Sequence, residues 1–343
     1  VKELTGREHR TGTHRYFFIM AIKAGASSPV IPALTAAAIV TLTSYYIYKR
    51  IKRSVTGAIT VSELAIYPIK SCRELTIDTA TPTPRGFEGD RIAQLTDASG
   101  RCCTPRDTDK TRLFHIAVEI WGDDVLLFKS PHVDESYELN VRTAKGATPR
   151  RVEVPESPDK ITLQDYGDDV AEWFVKATSI PGCRLTGIGS DFVRSSRINA
   201  AQGEAIPTED GTAPVSLADE APYLLTNLAS LADLNNRLLA RGKPSIDMRR
   251  FRPNIVVGGL KAWEEDSLKR IRIKNVEFWV WQRCGRCAMT TIDRDTLDRG
   301  PEPLATLSTF RERANGMRNF GVHLIPVEGG IPDGATITVD DEV

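Results

Sequence analysis

Residues 276–291 read Val-Glu-Phe-Trp-Val-Trp-Gln-Arg-Cys-Gly-Arg-Cys-Ala-Met-Thr-Thr. Val276–Trp281 has the β-branched and aromatic content of a strand. It runs into a C-x-x-C, Cys284 and Cys287, and Ala288–Thr291 predicts a further strand. Outward from this stretch the same style repeats. Val61–Tyr67 alternates and then meets Pro68, and Arg91–Leu95 is followed by the turn residues Asp97, Ser99 and Gly100. Phe114–Trp121, Val125–Phe128, Arg150–Val154, Asn254–Val257, Ile271–Ile273 and Thr336–Val339 are short runs of the same kind, with Gly, Asp and Pro between them. Two segments have helical spacing instead. Asp168–Ala177 puts Val170, Trp173 and Phe174 on one face, and Thr226–Leu239 places Leu228, Leu231, Leu234 and Leu238 at intervals of three and four before Gly242. The class expected is α+β, mostly β, with a small barrel or sandwich in the first half. Segment 194–214, with its Gly, Pro, Thr and Asp, reads as a long loop or a domain boundary.

The chain has 343 residues, 41% apolar and 26% charged, enough for two domains or one large one with an extension. Its 45 basic and 45 acidic side chains balance only in sum. Residues 1–53 hold nine Lys or Arg against Glu3 and Glu8, so the remainder is acidic by the same excess. An acidic body argues against nucleic acid as a partner, which needs a basic footprint. The basic part has another explanation. Between Lys23 and Lys49 no residue is charged, and residues 30–48 (VIPALTAAAIVTLTSYYIY) are mostly apolar with three tyrosines at one end. As a helix they would rise about 28 Å, close to the thickness of a bilayer's hydrocarbon core. The basic run Lys49–Arg53 after an aromatic belt orients the larger C-terminal part toward the cytosol. A single transmembrane anchor is therefore expected at 30–48, preceded by a basic targeting segment at 1–29; a buried helix of the soluble body is the alternative.

The six cysteines are Cys72, Cys102, Cys103, Cys183, Cys284 and Cys287. In a cytosolic body a structural disulfide framework is not expected. Zinc would need a second ligand pair beside Cys284 and Cys287, and no suitable pair or nearby His is present. Arg283 and Arg286 flank the thiols, and guanidinium groups favour the thiolate that binds soft metals. Three other stretches suit an anion: Lys70-Ser71 just past a strand, Arg91 at the start of another, and Arg249-Arg250-Phe251-Arg252-Pro253-Asn254 before a third. The chain lacks G-x-x-x-x-G-K-S/T, G-x-G-x-x-G and G-x-S-x-G, so no nucleotide hydrolase, nicotinamide or flavin domain, or serine hydrolase is signalled.

Taken jointly, Tyr67–Cys72 (YPIKSC), Gly89–Arg91, Thr104–Arg106, Leu231–Leu238, Arg249–Val257, Ala262–Asp266 (AWEED), Arg286–Thr291 (RCAMTT) and Glu302–Leu307 resemble the MOSC domain family, in particular its group of mitochondrial amidoxime reducing components. The resemblance implies a β-rich N-terminal MOSC region at 57–184 and a C-terminal MOSC β-barrel domain at 195–342, behind the anchor. It implies a molybdenum-pterin cofactor whose metal is bound by Cys287, the expected catalytic residue. Lys70, Ser71, Arg91, Arg252, Asn254 and Arg286 would hold the pterin and its phosphate. It further implies reduction of N-hydroxylated compounds such as amidoximes and hydroxylamines. Electrons would come from cytochrome b5 and NADH-cytochrome b5 reductase, at the outer mitochondrial membrane with the body in the cytosol. Sulfur carriage on Cys287, or an inactive anchored binding protein, are the alternatives. Three positions depart from the family pattern: Glu220-Ala221 stands where a Thr-Ser pair is usual, Gly285 replaces a Ser, and His323 replaces a Tyr.

Overall fold

The computed structural model describes residues 57–122, 125–141, 147–154, 160–189, 191–197 and 211–343. The expected targeting segment 1–29 and anchor 30–48 lie outside the described residues; among the described residues no helix is long and apolar enough to cross a membrane. In chain order the main elements are β1 (Thr60–Ile66), β2 (Leu75–Ile77), β3 (Ala93–Thr96), β4 (Ala117–Trp121), β5 (Val125–Lys129), β6 (Tyr137–Asn140), β7 (Thr148–Val152), β8 (Ile161–Asp165), α1 (Asp168–Thr178), β9 (Arg184–Gly187), β10 (Tyr223–Asn227), α2 (Leu228–Ala240), β11 (Ile255–Gly258), β12 (Arg270–Ile273), β13 (Val276–Arg286), α3 (Leu304–Ser308) and β14 (Arg318–Pro326).

The principal sheet has seven strands in the order β12-β13-β14-β10-β11-β1-β2. Neighbours are antiparallel except β10 and β11, which run parallel across the crossover made by α2, as a parallel pair requires. Helix α2 starts directly off β10: the Asn227 side chain accepts from the Ala229 N–H at 2.9 Å, satisfying one of the free donors of the first turn. It stops at Gly242, whose φ of +68° lets the chain turn back. Because successive strand residues face opposite sides, β11 sends Ile255 and Val257 into one core, with Leu64, Phe278 and Leu324, and Val256 into another, with Leu234, Leu238 and Phe320. A four-stranded sheet, β7-β8-β9-β3, a three-stranded one, β4-β5-β6, and three two-stranded ladders form the rest of the described sheet structure. The first two close over a third core in which Phe128 of β5 packs against Trp173 and Phe174, the aromatic face of α1.

Ala58–Val343 form one compact unit. β1 and β2, from the early part of the chain, are strands of the same sheet as the C-terminal strands. The segment 194–214 contributes a short ladder rather than only loop, Ser195–Arg197 against Thr212–Pro214.

Two local differences bear on the site. Strand β13 continues beyond Trp281 to Arg286, through irregularities between Val280 and Gln282 and between Arg283 and Gly285; bulges of this kind break the two-residue alternation and re-aim side chains. Ala288–Thr291 is a 3-10 turn, not a strand. The Cys287 carbonyl accepts from the Thr290 N–H (3.1 Å) and hydroxyl (3.0 Å), so the threonines close the turn on itself.

Candidate functional site

Between the end of β13 and the loops that follow β1 and precede β10 and β11 lies a cavity of about 320 Å3. Lys70, Ser71, Arg91, Arg252, Asn254, Arg286 and Cys287 all line it. Residues separated by more than 200 positions in the chain are therefore neighbours. Six cationic side chains (Lys70, Arg91, Arg106, Arg250, Arg252, Arg286) face two carboxylates, Asp219 and Glu220, across this space. An excess of that size favours an anionic ligand.

The cations differ in what already holds them. Lys70 is buried; its ammonium donates to the Leu217 carbonyl at 2.7 Å and pairs with Asp219. Asp219 also takes Arg106 at 3.1 Å. Burial alone would raise the Asp219 pKa, but Lys70, Arg106 and Arg91 overcome it and hold the carboxyl well below the usual range. Arg91 pairs with buried Asp90, whose other oxygen accepts the Tyr67 backbone N–H at 2.7 Å. Asn254 is a brace. Its oxygen accepts from the Leu224 N–H (3.2 Å) and from Arg91 (3.4 Å), and its amide nitrogen donates to the Ala65 carbonyl (3.2 Å), tying β1 to β10. Arg250 is occupied by Asp293 at 2.8 Å, and Arg249 by Asp247 at 2.6 Å.

Arg252 and Arg286 are different. Neither has a carboxylate within ion-pair distance among the described residues. Arg252 lies over the Tyr67 ring, 4.1 Å from its centre, and donates to the Cys72 carbonyl at 2.6 Å. Burial, reinforced by Arg294, pulls its pKa down to about 10. Arg286 donates to the Cys284 sulfur at 2.7 Å and to the Phe251 carbonyl, while its buried Nε has no hydrogen-bond partner among the described residues. Buried cations without counter-charges are costly unless an anion completes them. The backbone carries a second mark: Ser71, Arg91 and Arg252 have φ of +70°, +50° and +57°, a region that costs non-glycine residues energy and recurs at ligand sites.

All six cysteines are free thiols, and Cys287 is the half-buried one, the other five being buried. It sits where β13 gives way to the turn at 288–291. The guanidinium beside it is Arg106; burial lowers the Arg106 pKa, and attraction to Cys287 and Asp219 raises it by more. Arg283, expected to flank the thiols, is turned instead toward Asp266, 3.7 Å away, and does not line the cavity. Cys284 is buried and its pKa is pushed up by burial, with Arg286 opposing, which suits an inert thiol. Among the described residues no group of three or more His, Cys, Asp or Glu side chains is placed to hold a metal by itself. Arg106 and Asp219 are site residues that sequence reading passed over. The first lies in the quoted Thr104–Arg106 motif and the second directly precedes Glu220, but nothing in the sequence shows that they meet Cys287 and Lys70.

The three positions expected to depart from the family pattern, Glu220, Gly285 and His323, all line the cavity. Glu220 turns away from Lys70 toward Gln282, whose amide donates to it at 3.1 Å, and toward His323 at 3.4 Å. Met317 covers Gly285, where a Cβ would stand 2.4 Å from the Met317 methyl.

The mixed β fold thus holds a cation-rich cavity beside one half-buried thiol, an arrangement suited to an anionic ligand. Residues 58–180 match the family model for the MOSC N-terminal beta barrel domain, and residues 212–343 that for the MOSC domain. The chain is 34% identical to mitochondrial amidoxime reducing component 2 of Bos taurus over 258 residues, 74% of this chain and 72% of that protein. Its identity to the Homo sapiens protein of the same name is 31% over 285 residues, 81% and 80% of the two chains. The chain belongs to the MOSC domain family, in its mitochondrial amidoxime reducing component group. It is also 28% identical to molybdenum cofactor sulfurase of Danio rerio over 77% of its own length, spanning 32% of that larger protein.

Proposed function

We propose that the protein is a molybdenum-cofactor-dependent reductase of N-hydroxylated compounds, amidoximes and hydroxylamines among them. The observation that carries the reading is the convergence of a half-buried thiol, Cys287, with two guanidinium groups, Arg252 and Arg286, that have no counter-charge among the described residues. The donor set fits the cofactor: a thiolate suits molybdenum in a sulfur-rich site, and the orphaned Arg286 Nε is a buried donor in search of an acceptor. Cys287 would bind the metal. Lys70, Ser71, Arg91, Arg252, Asn254 and Arg286 would hold the pterin and its phosphate. When bound, the cofactor supplies the two-electron chemistry that converts N–OH to N–H with release of water, on consumption of two protons.

The chain's own contribution is preorganisation. Asp90 fixes Arg91, Asp219 fixes Lys70 and Arg106, and Asn254 locks two strands across the cavity floor, so the cations are in place before the ligand arrives. Electrons would be delivered by cytochrome b5 and its NADH-dependent reductase, with the chain held at the outer mitochondrial membrane through residues 30–48 and its body in the cytosol. The names of the relatives support the substrate class and the organelle.

The test is metal analysis of the full chain, expressed in a host that makes the molybdenum cofactor, beside Cys287→Ala. Near-stoichiometric molybdenum that is lost or labile in the variant, with benzamidoxime turnover abolished, is expected. Full turnover by Cys287→Ala would overturn the assignment. The similarity to a molybdenum cofactor sulfurase supports a second reading, sulfur transfer on Cys287; a labile persulfide without bound pterin would favour it. Folded protein free of molybdenum and persulfide would favour an inactive binding protein.

A further inference from the structure

Besides the cations described above, the cavity is lined by Glu220, Gly285, Met317 and His323. Of its two lining carboxylates, Asp219 is already paired with Lys70 and Arg106. Glu220 has no Lys or Arg within ion-pair distance among the described residues. Gln282 donates to its Oε2, and His323 also lies against Oε2. No hydrogen bond among the described residues reaches Oε1. The side chain is 42% exposed, so it faces space and not packed protein. His323 does not neutralise it, because the imidazole is buried against Trp281 and uncharged at neutral pH. A carboxylate accepts up to four hydrogen bonds; Gln282 supplies one.

We infer that Glu220 is a specificity-determining residue that selects ligands carrying a delocalised nitrogen cation, N-hydroxyguanidinium substrates and amidinium products, by a charge-assisted contact inside the cavity. The inference rests on the reductase reading of the cavity and deepens it. Glu220 stands in a cavity otherwise dominated by positive charge, where a cationic molecule without this partner is repelled. A planar N–C–N cation presents two parallel N–H groups that match a carboxylate's two oxygens. Asp219, next to it in sequence, cannot serve, since both its oxygens are engaged by cations.

The test measures binding of benzamidinium and of neutral benzamide by calorimetry, using the full chain from a cofactor-competent host. The wild type is compared with Glu220→Gln, which preserves shape, and Glu220→Asp, which preserves charge. Benzamidinium affinity is expected to fall about tenfold in Glu220→Gln, the scale of a lost charge-assisted hydrogen bond. Glu220→Asp should retain part of it, and benzamide should bind all three proteins alike. Equal benzamidinium affinity in wild type and Glu220→Gln would overturn the inference, as would a parallel loss for benzamide. Molybdenum content of the same samples separates the two claims. Metal-free wild type with a charge preference lost in Glu220→Gln refutes the reductase reading and keeps Glu220. Loaded protein with no charge preference does the reverse.

Discussion

Acidification should destabilise the protein through His323, and the size of the effect follows from its position. The side chain lies on β14 beside Gln282 of β13 and Leu224 of β10, stacked on Trp281. Burial lowers its pKa to about 4; Glu220 opposes this, and Arg286 and Arg313 add to it. The unfolded chain, with a histidine pKa of 6.5, thus binds a proton between pH 6.5 and 4 that the native state does not. Stability contributed by the neutral imidazole is complete above pH 6.5 and is lost as pH falls. The separation between 6.5 and about 4 corresponds to about 3 kcal/mol in all, of which about 2 kcal/mol is gone by pH 5. Urea unfolding at pH 7.5, 6 and 5, followed by tryptophan fluorescence, measures this for the wild type and for His323→Phe, which cannot titrate. The wild type should lose about 2 kcal/mol more than the variant over that interval. If Glu220 governed the imidazole as an ion-pair partner, the pKa would be raised and acidification through 6.5 would stabilise the wild type relative to the variant. Parallel pH profiles, or that inversion, would refute the argument.

Leu234→Ala removes a fully buried side chain of α2 that packs with Phe251 and Phe320; the unfolding free energy should drop by about 2–5 kcal/mol in the same urea assay. Arg252→Met removes a half-buried cation that has no counter-charge among the described residues, so the cofactor-free protein should be as stable as the wild type or more so, while molybdenum retention measured after gel filtration falls. Asp219→Asn leaves Lys70 without its counter-charge; because the carboxylate is about a third exposed, the expected loss is about 1–2 kcal/mol in chemical denaturation, below the figure for a fully buried pair. Gly285→Ser should cost under about 1 kcal/mol by thermal unfolding, since the clash is with the end of the flexible Met317 side chain, which can turn aside.

The elements carried by strong periodicity were legible in the sequence: α2 through its leucine spacing and Gly242, α1 through Val170, Trp173 and Phe174, and most strands to within a residue or two. Where the alternation is broken, the reading stopped short. β13 runs on to Arg286 because bulges keep its ladder with β14 while spoiling the pattern, and the turn at 288–291 depends on hydroxyl bonds that a propensity for strand does not reveal. The cavity's cations were visible as residue types near strand ends. Which of them are free was not, because Lys70 meets Asp219 149 positions away and Arg106 meets the same carboxylate from 113 positions away. Such partnerships exist only after the chain has closed. Motif positions pointed to Cys287 and its neighbours; the geometry added Arg106, removed Arg283, and put Glu220, Gly285 and His323 in the same cavity.

The antiparallel pairing of β1 with β11 sets Leu64 opposite Ile255, 191 residues further along the chain. During synthesis at about 5–20 residues per second, β1 leaves the ribosome roughly 10–40 s before its partner strand exists. Throughout that interval Val61, Leu64 and Ile66, all buried in the finished molecule, present an unpaired apolar edge of the kind that invites association between nascent chains. Production of this protein should therefore depend strongly on chaperone supply, and slowing translation downstream of β1 should lower the soluble yield, not raise it.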